Sequence, residues 1–314
     1  MPQKRGARQP QKDEVMRELR AGVIGAGVFA GFHARKYASL EGVNLIGLYD
    51  PSDEAAQKLA AELGVTAFHT VEELLAAVDI VTIASPAIYH AKGALSAVTA
   101  GCHAYVEKPI AVDLGDADKI LVMAAAHNLV VAVGHQERAV FAAMGLLDVP
   151  EQPLRLEAVR FGTASPRNLD VSSTLDLMIH DIDLALALTT GEAVTVEAEG
   201  DDDAMEAEVT FDNGFTASFA VSRVAPERKR TIRVVYPSGE VAIDMLTREF
   251  SNTTPFALDP NFTETVAGKD PLGASVRGFI DAVRGDSPRP LVTGAEAAKA
   301  LDVALAVEQA ALED

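Results

Sequence analysis

From residue 19 onward the hydrophobic pattern of the chain alternates between two periods. Short apolar runs at 19–24, 43–49, 65–68, 80–84, 103–106 and 130–133 have the length of buried strands. Between them, helices are predicted over 28–40, 53–63, 71–77, 88–100 and 114–127, with Gly64 and Gly101 placed to end the second and fourth. Strands alternating with helices of this length predict an α/β class, a doubly wound parallel sheet. Ligands of such sheets bind at the carboxyl ends of the strands.

After about residue 140 the pattern changes. Strands are predicted at 154–161, 194–199, 205–211, 215–221, 230–236 and 241–245, with tight turns at Asp212-Asn213-Gly214 and Pro237-Ser238-Gly239. Helices are predicted at 272–284 and 295–312. Strands in series joined by tight turns give a large, mainly antiparallel sheet. The expected organisation is an arm over 1–18, a Rossmann domain over 19–140 and a second α/β domain over 141–314. The arm is rich in Gln, Lys and Arg and reads as a disordered extension. A transit peptide is the alternative, weakened by Asp13, Glu14 and Glu18.

Three features carry chemistry. The first is Gly25-Ala26-Gly27-Val28-Phe29-Ala30, a G-x-G-x-x-A turn between a strand and a helix. Missing side chains there let the backbone approach a pyrophosphate at the helix N-terminus. Asp50 closes the second strand, where an acid binds the adenosine ribose hydroxyls. It would repel a 2′-phosphate and no arginine follows it at once, which favours NAD over NADP.

The second feature is Glu107-Lys108-Pro109 at the end of a buried strand. Proline restricts Lys108 to extended backbone, and a charge held there needs a partner or a ligand. The third is the segment 172–186, a helix apolar nearly all round except for Asp176, His180 and Asp183 on one stripe. Three readings of His180 compete: a core histidine satisfied by Asp176, a metal ligand with two carboxylates, and a catalytic base oriented by Asp176. No second His or Cys stands at ligand spacing, so zinc has little support and no metal is expected. Asp201-Asp202-Asp203 reads as a solvated loop.

Composition narrows the partners. A net charge of −19 argues against nucleic acid and anionic membranes, which need clustered Lys and Arg. No stretch approaches eighteen apolar residues, so no membrane span is expected. Cys102 is the single cysteine, which fits a reducing, cytoplasmic setting.

Taken together, these residues resemble the glucose-fructose oxidoreductase / inositol dehydrogenase family of NAD(P)-dependent oxidoreductases. The match runs from about Leu19 to the chain end. It rests on the glycine turn, Ser85-Pro86 with His90, Gly101, Glu107-Lys108-Pro109, and the pair Asp176 and His180. The resemblance implies a Rossmann domain and a second domain whose open sheet makes a homodimer or homotetramer. It assigns catalysis to Lys108 and His180, helped by Asp176. Toward the cofactor it places Gly25, Gly27, Val28, Phe29, Asp50, Ser85, Pro86, His90, Glu107 and Lys108. Toward the substrate it places Lys108, His135, Arg138, Arg160, Arg167, Asp176 and His180.

Some segments depart from the family pattern. Ser85-Pro86-Ala87 replaces Thr-Pro-Asn, Arg138-Ala139-Val140-Phe141 replaces Arg-Phe-Asn-Pro, and Asp170-Val171-Ser172-Ser173 replaces a glycine-rich approach to the helix. Gly134-His135-Gln136-Glu137-Arg138 and the 176–183 segment are similar to those of one subgroup, the UDP-N-acetylglucosamine 3-dehydrogenases. Arg160 and Arg167 would then pair with a sugar-nucleotide diphosphate, or else are surface charges.

The expected reaction is oxidation of a secondary alcohol on a sugar or sugar nucleotide, with hydride passing to nicotinamide. His180 takes the hydroxyl proton and Lys108 stabilises the oxygen, or the two exchange roles. A free sugar or a cyclic polyol such as inositol is the alternative substrate. A non-catalytic NAD-binding regulator is the alternative from another class.

Overall fold

The computed structural model describes residues 18–165 and 169–313; residues 1–17 of the expected arm and Arg167 lie outside them. The first sheet comprises β1 (Leu19–Ile24), β2 (Val43–Tyr49), β3 (Thr66–Ala67), β4 (Ile80–Ile83), β5 (His103–Val106) and β6 (Val131–Val133). Its order is β3-β2-β1-β4-β5-β6 and every neighbouring pair is parallel. The order reverses between β1 and β4, which opens a crevice at their carboxyl ends.

Helices α1 (Val28–Ser39), α2 (Asp53–Leu63), α3 (Val71–Ala77), α4 (His90–Thr99) and α5 (Leu114–Ala126) connect these strands. Their ends are written locally. Ser52, Thr70 and Asp113 accept the backbone N–H of Ala55, Glu73 and Asp116, satisfying first-turn donors. Gly64 ends α2 in the left-handed region at φ 70°.

The chain then runs through α6 (Glu137–Met144) and β7 (Arg155–Phe161) into a π-helical turn (Thr174–Met178) that continues as α7 (Ile179–Leu188). Next come β8 (Ala193–Gly200), β9 (Ala204–Phe211), β10 (Thr216–Ser222), β11 (Lys229–Tyr236), β12 (Gly239–Asp244) and β13 (Phe250–Asn252). The second sheet has the order β13-β12-β11-β7-β10-β9-β8, antiparallel except for the parallel pair β7–β10. Strand alternation sets its two faces: Met205, Ala207, Val209 and Phe211 are buried inside, while Glu206 and Glu208 point out.

Three helices close the chain: α8 (Val266–Lys269), α9 (Pro271–Arg284) and α10 (Gly294–Ala310). Helix α9, which lies beyond the division expected at residue 140, packs on the first sheet. Phe279 meets Tyr105 edge-on at 5.8 Å, and Ser275 Oγ lies 2.9 Å from Tyr105 Oη. Arg284 donates to the Gly42 carbonyl at 2.6 Å. These contacts complete a core of Ala21, Val23, Leu48, Val276 and Phe279. On the other side of the sheet, α10 packs against both α5 and α7, tying the His180 helix to the cofactor-side layer.

Helix α6 and strand β13 form where the sequence pattern predicts no element. Each is short, eight and three residues, below the length at which periodicity separates helix from loop. Among the described residues no helix is long and apolar enough to cross a membrane, and no cluster of His, Cys, Asp or Glu could hold a metal ion.

Candidate active site

The crevice between β1 and β4 is built for a dinucleotide. Gly25 has φ +120°, and a Cβ there would lie 2.7 Å from the Ala84 carbonyl oxygen, so only glycine fits. Gly27 opens α1, and beyond its chain neighbours no atom of the described residues lies within 4 Å of where its Cβ would be; that side of the helix N-terminus is open. Asp50 is fixed beside this turn, its carboxylate accepting Ala26 N–H and Ser52 N–H at 2.8 Å each. Val28 and Phe29 are half exposed on the β1 side, as are Ile88 and Tyr89 after Ser85-Pro86 on the β4 side. A bare helix N-terminus, an acid at the next strand end and two apolar walls suit pyrophosphate, ribose and ring.

Two residues expected at the cofactor face inward instead. His90 is buried, with Nδ1 2.7 Å from the Pro109 carbonyl and Nε2 2.8 Å from the Ser85 carbonyl. It fastens the β4 and β5 loops together and has no nitrogen left for a ligand. Glu107 is also buried; its Oε1 lies 2.6 Å from His33 Nε2 and accepts from Gln136 Nε2 at 3.2 Å. A Cβ at position 134 would meet the Glu107 carboxylate at 2.9 Å, so Gly134 makes room for it. Burial pushes the Glu107 carboxyl up, but the His33 hydrogen bond and the charges of His33, His90 and Lys108 outweigh it and hold it below the ordinary glutamate value.

Lys108 points across to the second wall. Its Nζ donates to the Asp176 carbonyl at 2.6 Å and to Asp176 Oδ1 at 2.9 Å. The Lys108–Pro109 peptide is cis. Asp176 sits in the π-helical turn with its carboxylate on Lys108, while the carboxylate beside the His180 ring is that of Glu137 and not the expected Asp176. π-turns inside helices recur at functional sites, where they re-aim side chains.

His180 is oriented from α6. Its Nδ1 lies 2.8 Å from Glu137 Oε2, with the oxygen out of line for a full hydrogen bond. Such bonds in active sites tighten when substrate is in place. Glu137 Oε1 in turn accepts from Arg160 Nη1 at 3.0 Å, and Arg160 makes a two-pronged pair with Asp181 at 2.9 and 2.7 Å. Burial would raise the Glu137 carboxyl, but the charges of His180 and Arg160 keep it well below the ordinary value. The line Asp181–Arg160–Glu137–His180 is a supported acid–histidine pair that the sequence reading did not identify.

The arginines expected at the substrate are therefore committed elsewhere. Arg160 is buried at 3% exposure and all three of its donor nitrogens are taken. Arg138 is buried too, bonded through Nε and Nη2 to Asp183 at 2.8 Å each and through Nη1 to Glu296 at 2.8 Å. That pairing draws Asp183 into the core and away from the Asp176 and His180 stripe. His135 stands edge-on behind His180, ring centroids 6.1 Å apart, with neither nitrogen hydrogen-bonded among the described residues. Burial drives its pKa down to about 4.

The missed residues, Glu137, Asp181, His33 and Gln136, come from four different elements or loops. The one local signal was Glu137 beside Arg138 in a segment already singled out.

Comparison with known proteins agrees with this geometry. Residues 19–135 match the oxidoreductase family with an NAD-binding Rossmann fold, and residues 163–242 match the GFO/IDH/MocA C-terminal domain. UDP-N-acetylglucosamine 3-dehydrogenase of Acidithiobacillus ferrooxidans is 37% identical over 288 residues, covering 87% of this chain and 91% of that enzyme. A solved structure of it superposes with a TM-score of 0.83 at 35% identity, covering 93% of this chain and 97% of that one. The WlbA dehydrogenase of Bordetella pertussis, solved with NADH and UDP-GlcNAcA, gives 0.84 over 95% of this chain and 96% of its own. At 18% identity that likeness speaks for the fold alone. With both of its sheets accounted for, the chain belongs to the GFO/IDH/MocA family of NAD-binding oxidoreductases.

Proposed function

We propose that this protein oxidises a ring hydroxyl of a sugar nucleotide, with the C3 hydroxyl of UDP-N-acetylglucosamine as the first substrate to test. The observation that carries the reading is the reach of Lys108 from the first sheet to Asp176, on the helix that bears His180. The 37% identical relative with that activity supports the choice of substrate.

Gly25, Gly27, Asp50 and the Ser85-Pro86 loop would hold NAD, which supplies a hydride acceptor when bound. The protein's own groups manage the proton and the oxygen. An ammonium has three N–H donors; Lys108 gives two to Asp176 and keeps one for the substrate oxygen. Charge developing on that oxygen is stabilised by the remaining donor. Glu137 stands 2.8 Å from Nδ1, and a hydrogen bond made there when substrate is in place would fix the His180 tautomer and leave Nε2 to take the hydroxyl proton. Of the two role assignments, this geometry favours Lys108 as donor and His180 as base.

A homo-oligomer through the outer face of the second sheet and a reducing, cytoplasmic setting belong to the same reading. Glu197, Glu206 and Glu208 lie exposed on that face, and Cys102 is buried as a free thiol. Sedimentation of the full chain checks the first.

The test of function is an absorbance scan at the NADH band with NAD and a panel of UDP-sugars, free sugars and cyclic polyols. Reduction confined to sugar nucleotides is the expected result. Reduction with inositol or a free sugar would move the substrate class. NAD binding without reduction across the panel would favour a regulator.

A further inference from the structure

Arg160 has a full set of acidic partners, while its neighbour across the sheet has none among the described residues. In the antiparallel pairing of β7 and β11, Arg230 stands directly opposite Arg160. Opposed residues share a face of the sheet, here the inner face turned toward Glu137 and the His180 helix. Arg160 takes both nearby carboxylates, Glu137 and Asp181. Arg230 is half-buried, and its guanidinium has no acceptor among the described residues; its Nε is shut off from solvent and unbonded. Burial and the adjacent Arg160 charge press its pKa below the ordinary guanidinium value. Leaving such a group unpaired is unfavourable for the fold alone.

Charged residues of both signs surround Arg230. Arg228 and Lys229 are exposed next to it in sequence. Arg223 lies at the same end of the sheet, donating to Asp203 and to the Val171 carbonyl just before the His180 helix. These cations stand among Asp203, which Arg223 takes, and the exposed Glu227, and it is Arg230 that turns to the inner face.

We propose that Arg230 is the anion-recognising residue of the substrate site, a guanidinium fork for a phosphate group on the sugar substrate. This deepens the sugar-nucleotide reading and rests on it, with Arg230 taking the role expected of Arg160. The planar fork matches two phosphate oxygens at once. The phosphate belongs either to the diphosphate of a sugar nucleotide or to a sugar monophosphate.

The test uses the full chain saturated with NAD, in wild-type, Arg230→Gln and Arg230→Lys forms. Initial rates are measured with UDP-N-acetylglucosamine, a hexose monophosphate and an uncharged cyclic polyol, and UDP binding is measured by calorimetry. Arg230→Gln is expected to raise KM for the phosphate-bearing substrate, and the Kd for the matching ligand, about 10- to 100-fold. KM should change far more than kcat, Arg230→Lys should recover part of the loss, and the melting temperature should not fall, since Arg230 pairs with nothing among the described residues. Loss confined to UDP-N-acetylglucosamine and UDP identifies the diphosphate; loss confined to the hexose monophosphate identifies the monophosphate. Unchanged KM and UDP affinity in Arg230→Gln, with wild type oxidising the sugar nucleotide, overturns the role of Arg230 and leaves the dehydrogenase reading standing. Weakened UDP binding in Arg230→Gln, with nothing on the panel oxidised by wild type, sustains Arg230 and sinks the substrate reading. Oxidation of uncharged polyols alone, without UDP binding to wild type, overturns phosphate recognition altogether.

Discussion

The two walls of the cleft are made from different materials. The cofactor-side wall is backbone: a glycine turn, a helix N-terminus and strand ends, with few side chains at work. The wall opposite is charge: Arg138, Arg160, Asp181, Asp183 and Glu137, all drawn inward around His180. Backbone features are written in consecutive residues, so substitutions there should act locally on NAD. Buried ion pairs join residues tens of positions apart, so a single change leaves its partner's charge stranded.

The largest expected effect breaks the charged wall. Arg160→Met strands Asp181 and Glu137 and should cost about 3–5 kcal/mol of stability in urea melts, with loss of turnover. Loss of turnover without loss of stability would mean the pairs are functional only. Next comes pH. With a folded pKa of about 4 against an ordinary His value near 6.5, His135 stays neutral in the fold while the unfolded chain takes up a proton. Its contribution to stability is therefore intact above about pH 6.5 and lost as pH falls toward 4, by roughly 3 kcal/mol. His90 and His103 are shifted down too, burial being the first cause in both. His135→Asn should flatten, though not abolish, the slope of stability against pH in that window.

Glu137→Gln is a finer probe, because it keeps shape and removes charge. It should lower kcat about 10- to 100-fold and shift the acidic limb of the pH–rate profile for alcohol oxidation, with NAD affinity unchanged. Asp176→Asn should leave that limb in place, since Asp176 serves Lys108. If the two variants exchange these signatures, Asp176 orients His180 after all. The mildest change is on the backbone wall. Gly27→Ala meets nothing within 4 Å and should melt like wild type, yet weaken NAD about 10-fold by crowding the pyrophosphate approach. An unaltered Kd would place the dinucleotide elsewhere.

The same contrast explains what the sequence made legible. Five predicted elements, among them 43–49 and 53–63, recur with unchanged limits, because strand length, Ser52 and Gly64 mark them locally. Lys108 stood out for a related reason, as a charge and a proline at the end of an apolar run. The opposite wall was harder to read. An α-helical wheel puts Asp176, His180 and Asp183 on one stripe, but the π-turn and the buried arginines send them to three different partners. Glu137 lies on a helix too short to show a period, and its partners His180 and Arg160 are distant in sequence. Arg160 looked available for a diphosphate because sequence does not record that two carboxylates fold onto it.

The central claim is that Lys108 from one wall and His180 from the other act on a single substrate oxygen. A double-mutant cycle on kcat tests it directly, with Lys108→Met, His180→Asn and the pair, each saturated with NAD and UDP-N-acetylglucosamine. Each single variant is expected to lose at least about 10²-fold with NAD affinity kept, and the double variant little more than the worse single, as for groups acting as a unit. Losses that multiply in the double variant, or near-wild-type turnover in either single one, would contradict a shared catalytic centre between the two walls.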